Sequence, residues 1–119
     1  MPKCTAFFPF QRYFSNMKYH KPNGPVFLML GGEAPEIPVW VSYEKLPWVI
    51  WAKKHNAALF DLEHRFYGES RPLPDLATKN LKYLSSKQAI EDAAYFIRYI
   101  NKKSNYVNPK WVVFGGSYS

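Results

Sequence analysis

The sequence predicts an α/β fold in which a largely parallel sheet is joined by crossover helices. Continuous apolar runs bounded by glycine or charge, typical of strands buried on both faces, alternate with segments whose apolar residues recur at helical spacing. Glycine-rich or charged motifs directly follow these runs. Strands connected by helices pair in parallel, so their carboxyl ends meet at the edge of the sheet where ligands bind.

Four strands are predicted. Residues 11–16 (QRYFSN) are predicted as a short edge strand, and residues 1–10 are left as an unassigned tail. Three buried strands follow from the apolar runs, and these are 24–32 (GPVFLMLGG), 57–65 (AALFDLEHR) and 111–116 (WVVFGG). Residues 11–119 are therefore expected to form one partial domain.

Two helices are predicted between these strands. Residues 44–57 place Leu46, Val49 and Ile50 on one helical face, with Pro47 in the first turn. Residues 85–103 give the clearest helix, because Ser85 and Gln88 form a capping-box pattern. Its apolar stripe consists of Ala89, Ile90, Ala93, Phe96, Ile97 and Ile100. The prolines in 71–84 predict an irregular segment there.

Composition excludes several classes of protein. Hydrophobic residues make up 47% of the 119-residue chain, which indicates a globular protein. The formal charge is +7, but lysine and arginine are scattered, so nucleic acid is not an expected partner. No apolar run approaches the ~18 residues of a membrane span, and the N-terminus lacks the pattern of a signal peptide. Cys4, the one cysteine, cannot form an internal disulfide.

The sequence contains neither zinc-type ligand spacing nor a haem motif, so we expect no metal and no cofactor.

Ser117 follows the third apolar run with Gly115 and Gly116 before it. A nucleophilic serine needs a sharp, exposed turn directly after a strand, flanked by small residues. The usual pattern is Gly-x-Ser-x-Gly, and this chain has Ser119 in the fifth place. The alternative interpretation is a glycine-rich turn with an incidental serine.

The motif Gly31-Gly32-Glu33 follows the first apolar run. In serine hydrolases of the α/β type, the loop after this strand donates one of the oxyanion N–H groups. Glycine lets the backbone approach a substrate closely. The expected donor is the N–H of Gly32 or of Glu33, and a plain strand-terminating turn is the alternative.

The segment 63–70 (EHRFYGES) follows the second buried strand and gathers titratable side chains. We predict that it forms a scaffold for the site, with Arg65 and Glu69 as a candidate ion pair. The scaffold residues are Glu63, His64, Arg65, Tyr67 and Glu69. His64 is expected to be a structural, hydrogen-bonded histidine, because in such hydrolases the general base follows the nucleophile along the chain.

Five segments together resemble one family of serine peptidases. They are QRYF, GPVFLMLGGEAP, LEHRFYGES, LKYLSSKQAIEDAAYFI and WVVFGGSYS. In this order they resemble the serine carboxypeptidase family of lysosomal Pro-X carboxypeptidase, dipeptidyl peptidase II and thymus-specific serine protease. The resemblance runs from about Gln11 to Ser119 and is strongest to the thymus-specific branch.

The resemblance implies an α/β-hydrolase core with a cap domain inserted after the nucleophile. It implies a secreted or lysosomal exopeptidase, a carboxypeptidase or dipeptidyl peptidase that is often proline-directed and acts on peptides. Ser117 matches the nucleophile, and Tyr118 matches the residue whose backbone N–H helps to bind the oxyanion. The family's catalytic Asp and His lie farther along the chain and have no counterpart in these residues.

We therefore expect this sequence to be the N-terminal part of such an enzyme, truncated before the cap domain and inactive alone. An esterase or lipase on the same fold is the first alternative. A non-catalytic truncated isoform is the second. The sequence leaves the oligomeric state open.

Overall fold

The computed structural model describes residues 2–7, 11–73 and 78–119, whose strands form a five-stranded sheet of order β1-β2-β4-β3-β5. The strands are β1 (Lys3–Phe7), β2 (Gln11–Asn16), β3 (Val26–Leu30), β4 (Ala58–Leu62) and β5 (Trp111–Phe114). The helices are α1 (Val39–Ser42), α2 (Pro47–His55) and α3 (Ser86–Lys103), with a 3-10 helix over Thr78–Tyr83.

The sheet is mixed. Strands β4, β3 and β5 are parallel, whereas β2 runs antiparallel to β4 and β1 antiparallel to β2. The prediction that β2 lies at an edge is wrong, because β1 covers its outer side in the stretch left unassigned. Strand β1 (KCTAF) has little strand signal of its own and is defined by its pairing with β2. The predicted tail also includes residues 1 and 8–10, which lie outside the described residues.

Helices cover both faces of the sheet. Phe96 and Ile100 of α3 pack on one face against Leu28 of β3 and Phe60 of β4. On the other face, α1 and α2 pack against β2, β3 and β4 through the cluster of Phe14, Phe27, Val41, Trp48, Val49, Ala52, Ala57 and Leu59. The strands between them read as apolar runs because both of their faces are buried.

Local signals set the helix boundaries largely as predicted. The N–H of Gln88 donates to the Ser85 side chain at 3.2 Å, so Ser85 is the N-cap of α3. Pro47 occupies the first turn of α2, and Asn56 ends α2 in the left-handed conformation at φ 58°. The predicted apolar faces are partly wrong. Ile50 and Ile90 are 49% and 67% exposed, because the sheet contacts only one side of each helix.

Strand β5 is present where predicted, but it is not a buried strand. Val112 and Val113 are 42% and 49% exposed, because β5 forms the edge of the sheet and, within the described residues, pairs only with β3. The prolines predict an irregular segment over 71–84. Its described part contains the 3-10 helix, and 74–77 lie outside the described residues.

Candidate active site

The three predicted motifs follow the carboxyl ends of the three parallel strands. Strand β3 ends at Leu30, β4 at Leu62 and β5 at Phe114. The strands are in register at this end, with Leu30 opposite Leu62 and Met29 opposite Phe114. The structure therefore brings the β3 turn (31–33), the β4 loop (63–70) and the β5 turn (115–119) to one edge of the sheet.

Ser117 lies in the β5 turn with φ 57° and is exposed. This left-handed conformation is disfavoured for residues with a Cβ, by about 1–2 kcal/mol. The turn is closed by the N–H of Ser119, which donates to the carbonyl of Gly116 at 3.1 Å. A Cβ on Gly115 would lie 2.4 Å from the Ser119 carbonyl oxygen, so glycine is required there. The turn thus holds the Ser117 side chain outward in a strained conformation.

The β3 turn lies against the β5 turn. A Cβ built on Gly32 would be 3.4 Å from the Ser119 Oγ. This distance is an ordinary van der Waals contact, so Ser119 in the fifth place of the elbow pattern packs directly against the β3 turn. A cavity of about 270 Å³ opens between the two turns, and Glu36, Trp40 and Gly116 contribute to its lining.

The Tyr118 side chain contacts both the β4 loop and α3. Its hydroxyl lies 2.9 Å from the Ser86 Oγ and 3.3 Å from the His64 Nε2. The Tyr118 and His64 rings are 5.4 Å apart between centroids. Beneath Tyr118 lies a second cavity of about 150 Å³, lined in part by Leu62 and Ile90.

Glu63 organises the β4 loop. Its side chain is fully buried and accepts hydrogen bonds from Arg12 at 2.9 Å, from the Glu36 N–H at 2.9 Å and from the Ser70 hydroxyl at 2.6 Å. The hydrogen bond to Glu63 raises the pKa of Arg12. Gly68 has φ 57°, and a Cβ there would collide with the Glu63 carboxylate. Glu63 therefore ties the loop to β2 and to the segment after β3.

Arg65 does not pair with Glu69, so the suggested ion pair is wrong. Its guanidinium donates two hydrogen bonds of 2.6 Å to the Asp92 carboxylate on α3. The Glu69 carboxylate instead lies 3.6 Å from Arg12, which sits across the sheet edge on β2. Tyr67 packs edge-on against the His64 ring at 5.3 Å.

Asp61 is a buried carboxyl group at the end of β4. It is 0% exposed, and neither of its carboxyl oxygens forms a well-aligned hydrogen bond, although the Glu36 carboxyl group lies beside it. Burial and the nearby charges of Glu36 and Glu63 raise the pKa of Asp61 to about 9, against a small opposing effect of Arg12. Burial also raises the pKa of Glu36. Asp61 is therefore protonated in the folded chain at neutral pH.

Sequence reasoning missed five residues around this site: Arg12, Glu36, Asp61, Ser70 and Ser86. Asp61 had a signal, because it is the one charged residue inside the apolar run ALFDL. No sequence signal marked Arg12 or Glu36, because each forms its hydrogen bond with Glu63 from a distant part of the sequence.

Within the described residues, no group of His, Cys, Asp and Glu side chains is arranged to hold a metal ion. None of the described helices combines the length and apolarity needed to cross a membrane.

The sequence is similar to those of known serine peptidases. The family model for serine carboxypeptidase S28 matches residues 3–119. A putative serine protease of Caenorhabditis elegans is 56% identical over 110 residues, covering 92% of this chain and 22% of the relative. The thymus-specific serine protease of Mus musculus is 35% identical, covering 92% of this chain and 21% of the relative. A probable extracellular serine carboxypeptidase of Arthroderma benhamiae is 33% identical, with coverages of 91% and 16%.

Among solved structures, the thioesterase domain from the curacin biosynthetic pathway superposes with a TM-score of 0.63 at 16% identity. The superposed region covers 100% of this chain and 36% of the thioesterase chain. This likeness concerns the fold alone and confirms the predicted α/β-hydrolase architecture. The chain spans about a fifth of the length of the curated relatives it matches.

Proposed function

Because the chain belongs to the serine carboxypeptidase S28 family, we propose that it carries the nucleophile of a serine exopeptidase and that Ser117 is this nucleophile. One observation carries the proposal. Ser117 is an exposed serine with φ 57° that directly follows a parallel strand. A strained conformation held at the ligand-binding edge of a sheet is typical of a functional residue.

In the proposed mechanism, the Ser117 hydroxyl attacks the carbonyl carbon of a peptide bond. A histidine oriented by an aspartate, both outside residues 1–119, takes the proton and later gives it to the leaving amine. His64 does not take this role, because its Nε2 is occupied by the Tyr118 hydroxyl and its Nδ1 by the Arg65 carbonyl.

Backbone N–H groups would stabilise the negative charge that develops on the carbonyl oxygen. Tyr118 supplies one of them, since it directly follows the nucleophile. Glu33 is the better second donor, because the Gly32 N–H interacts with the buried Glu36 carboxyl group, which partly opposes the rise that burial causes in the pKa of Glu36. Glu33 is exposed, and the preceding residue, Gly32, lies against the β5 turn, which is compatible with this role.

The proposal extends to the substrate and the compartment. The substrate is a peptide shortened from one end, by a carboxypeptidase or a dipeptidyl peptidase reaction, often near proline. The whole enzyme is secreted or lysosomal. The scaffold residues around Glu63, namely His64, Arg65, Tyr67 and Glu69, shape the site without touching the reacting atoms.

The test is labelling of the whole protein with a fluorophosphonate, a probe that reacts with activated serines. We expect labelling and peptidase activity in the wild type and loss of both in Ser117→Ala. Ser104→Ala is the matched control, because Ser104 lies at the far end of the 18-residue helix α3. Residual labelling of Ser117→Ala would contradict the assignment, and turnover of esters but not peptides would indicate an esterase. We expect residues 1–119 alone to hydrolyse neither.

A further inference from the structure

Tyr118 is joined to two other elements through its side chain. The His64 ring follows β4, and Ser86 is the first residue of α3. Both reach the same hydroxyl oxygen, at 3.3 Å and 2.9 Å. The β5 turn is closed internally by the hydrogen bond from the Ser119 N–H to the Gly116 carbonyl, and the Tyr118 side chain attaches it to the β4 loop and to α3.

The neighbours of His64 define the direction of these bonds. The His64 Nδ1 lies 2.7 Å from the Arg65 carbonyl oxygen, which can only accept, so Nδ1 carries the proton. In the neutral ring, Nε2 is then an acceptor, and the Tyr118 hydroxyl donates to it. The Ser86 hydroxyl in turn donates to the Tyr118 oxygen. In this series of hydrogen bonds, which runs from Ser86 through Tyr118 and His64 to Arg65, each donor faces an acceptor.

Tyr118 provides both the hydroxyl group of these hydrogen bonds and the backbone N–H that is proposed as an oxyanion donor. Holding the hydroxyl and the ring fixes the Cα and Cβ atoms of Tyr118, which leaves its amide nitrogen little freedom to move. Ser117 is in a left-handed conformation, which persists only where the surrounding structure holds it. An oxyanion donor is effective only when it is held in place before the reaction.

We propose that His64 and Ser86 are positioning residues that hold the Tyr118 backbone N–H toward the oxyanion through the Tyr118 hydroxyl. This inference rests on the proposed role of Ser117. It assigns to His64 a function in the reaction that does not require proton transfer to or from substrate.

The experiment uses the whole protein and compares Tyr118→Phe, Ser86→Ala, His64→Leu and His64→Gln. We expect Tyr118→Phe to lower kcat about tenfold, part of the 10²–10³ that a complete oxyanion donor contributes, with KM within about twofold of the wild type. The affinity for a peptide aldehyde, which forms an oxyanion on Ser117, should fall in parallel with kcat. Ser86→Ala should have a smaller effect of the same kind.

Rescue separates positioning from general packing. The Gln side-chain amide can accept a hydrogen bond near the place of the His64 Nε2, whereas leucine cannot. We therefore expect His64→Gln to retain most of kcat and of the aldehyde affinity, and His64→Leu to lose both. Tyr43→Phe and His55→Gln are matched controls on exposed residues, and both should behave as wild type.

Several outcomes would overturn the inference. An unchanged kcat in Tyr118→Phe would contradict it. If KM rose while kcat stayed unchanged, the Tyr118 hydroxyl would contribute only to substrate binding. Equal losses in His64→Gln and His64→Leu would also contradict it. Should the His64 variants fail to fold, Ser86→Ala decides alone, because the Ser86 side chain is exposed and its removal leaves no cavity in the core. Failure of Ser117 to react with a fluorophosphonate would instead refute the proposed function.

Discussion

Asp61 shows at the scale of one residue how a buried acid limits the pH range of the fold. Its carboxyl group lies with Glu36 and Glu63, and Arg12 is the cation that faces this group of acids. Glu63 is satisfied by Arg12 and by the β4 loop, whereas the neighbour of the Asp61 carboxyl group is a second buried acid, Glu36, and no cation pairs with Asp61 directly within the described residues. The free energy of burying a carboxylate is large, so Asp61 keeps its proton in the folded chain.

We expect the stability of the chain to fall as pH rises from about 5 to 9. The pKa of Asp61 is about 9 in the folded chain, against 3.8 for an unperturbed aspartate, so between these values the folded state holds a proton that the unfolded state has lost. When the folded state holds one proton more than the unfolded state, the free energy of unfolding falls by about 1.4 kcal/mol for each unit by which the pH rises. The measurement is urea unfolding at pH 5, 7 and 9.

In Asp61→Asn this decline should be much shallower, because asparagine cannot ionise. The control is Glu91→Gln on the exposed side of α3, which should keep the wild-type slope. A slope in Asp61→Asn as steep as in the wild type would show that other groups cause the decline.

At the scale of elements, the Arg65–Asp92 pair attaches the β4 loop to α3. The two side chains are 12% and 16% exposed and form two hydrogen bonds, so they are only partly screened by water. A second pair, Lys18–Glu44, has a similar distance of 2.8 Å, but its side chains are 60% and 58% exposed. Solvent should cancel most of the interaction in that pair.

A double-mutant cycle with Arg65→Gln and Asp92→Asn should give a coupling energy of about 1–3 kcal/mol in the free energy of unfolding. The same cycle on Lys18 and Glu44 should give a coupling close to zero. Urea unfolding of the single and double variants measures both. Equal coupling in the two cycles would mean that burial does not decide the strength of these pairs.

At the scale of the whole molecule, the sheet has an exposed apolar edge at β5. Val112 and Val113 are about half exposed, and the described residues provide no strand beyond β5. Such an edge favours pairing with a second chain.

We expect the 119-residue chain to self-associate at micromolar concentration, and Val113→Lys to reduce this association. A lysine on the edge resists pairing because burying its charge is unfavourable. Val107→Lys is the matched control, since Val107 is 86% exposed but lies outside the sheet. Sedimentation velocity over a concentration series measures the effect. A decrease of the same size in both variants would assign it to net charge alone.

The sequence by itself determined the order of the main strands and helices, the Ser85 cap, and the placement of three motifs at strand ends. Periodicity, capping and strand-to-turn transitions are local properties, and neighbouring residues encode them. It also sufficed to identify the family, since five motifs in one order are specific.

Only the tertiary structure decided what meets at the sheet edge. Arg12 reaches Glu63 across 51 positions, and Tyr118 reaches His64 across 54. The pairing of β1 and the exposure of β5 also depend on which chain segments lie alongside them. These contacts join residues far apart in sequence, and their energies come from burial and charge in the assembled fold, which no local pattern records.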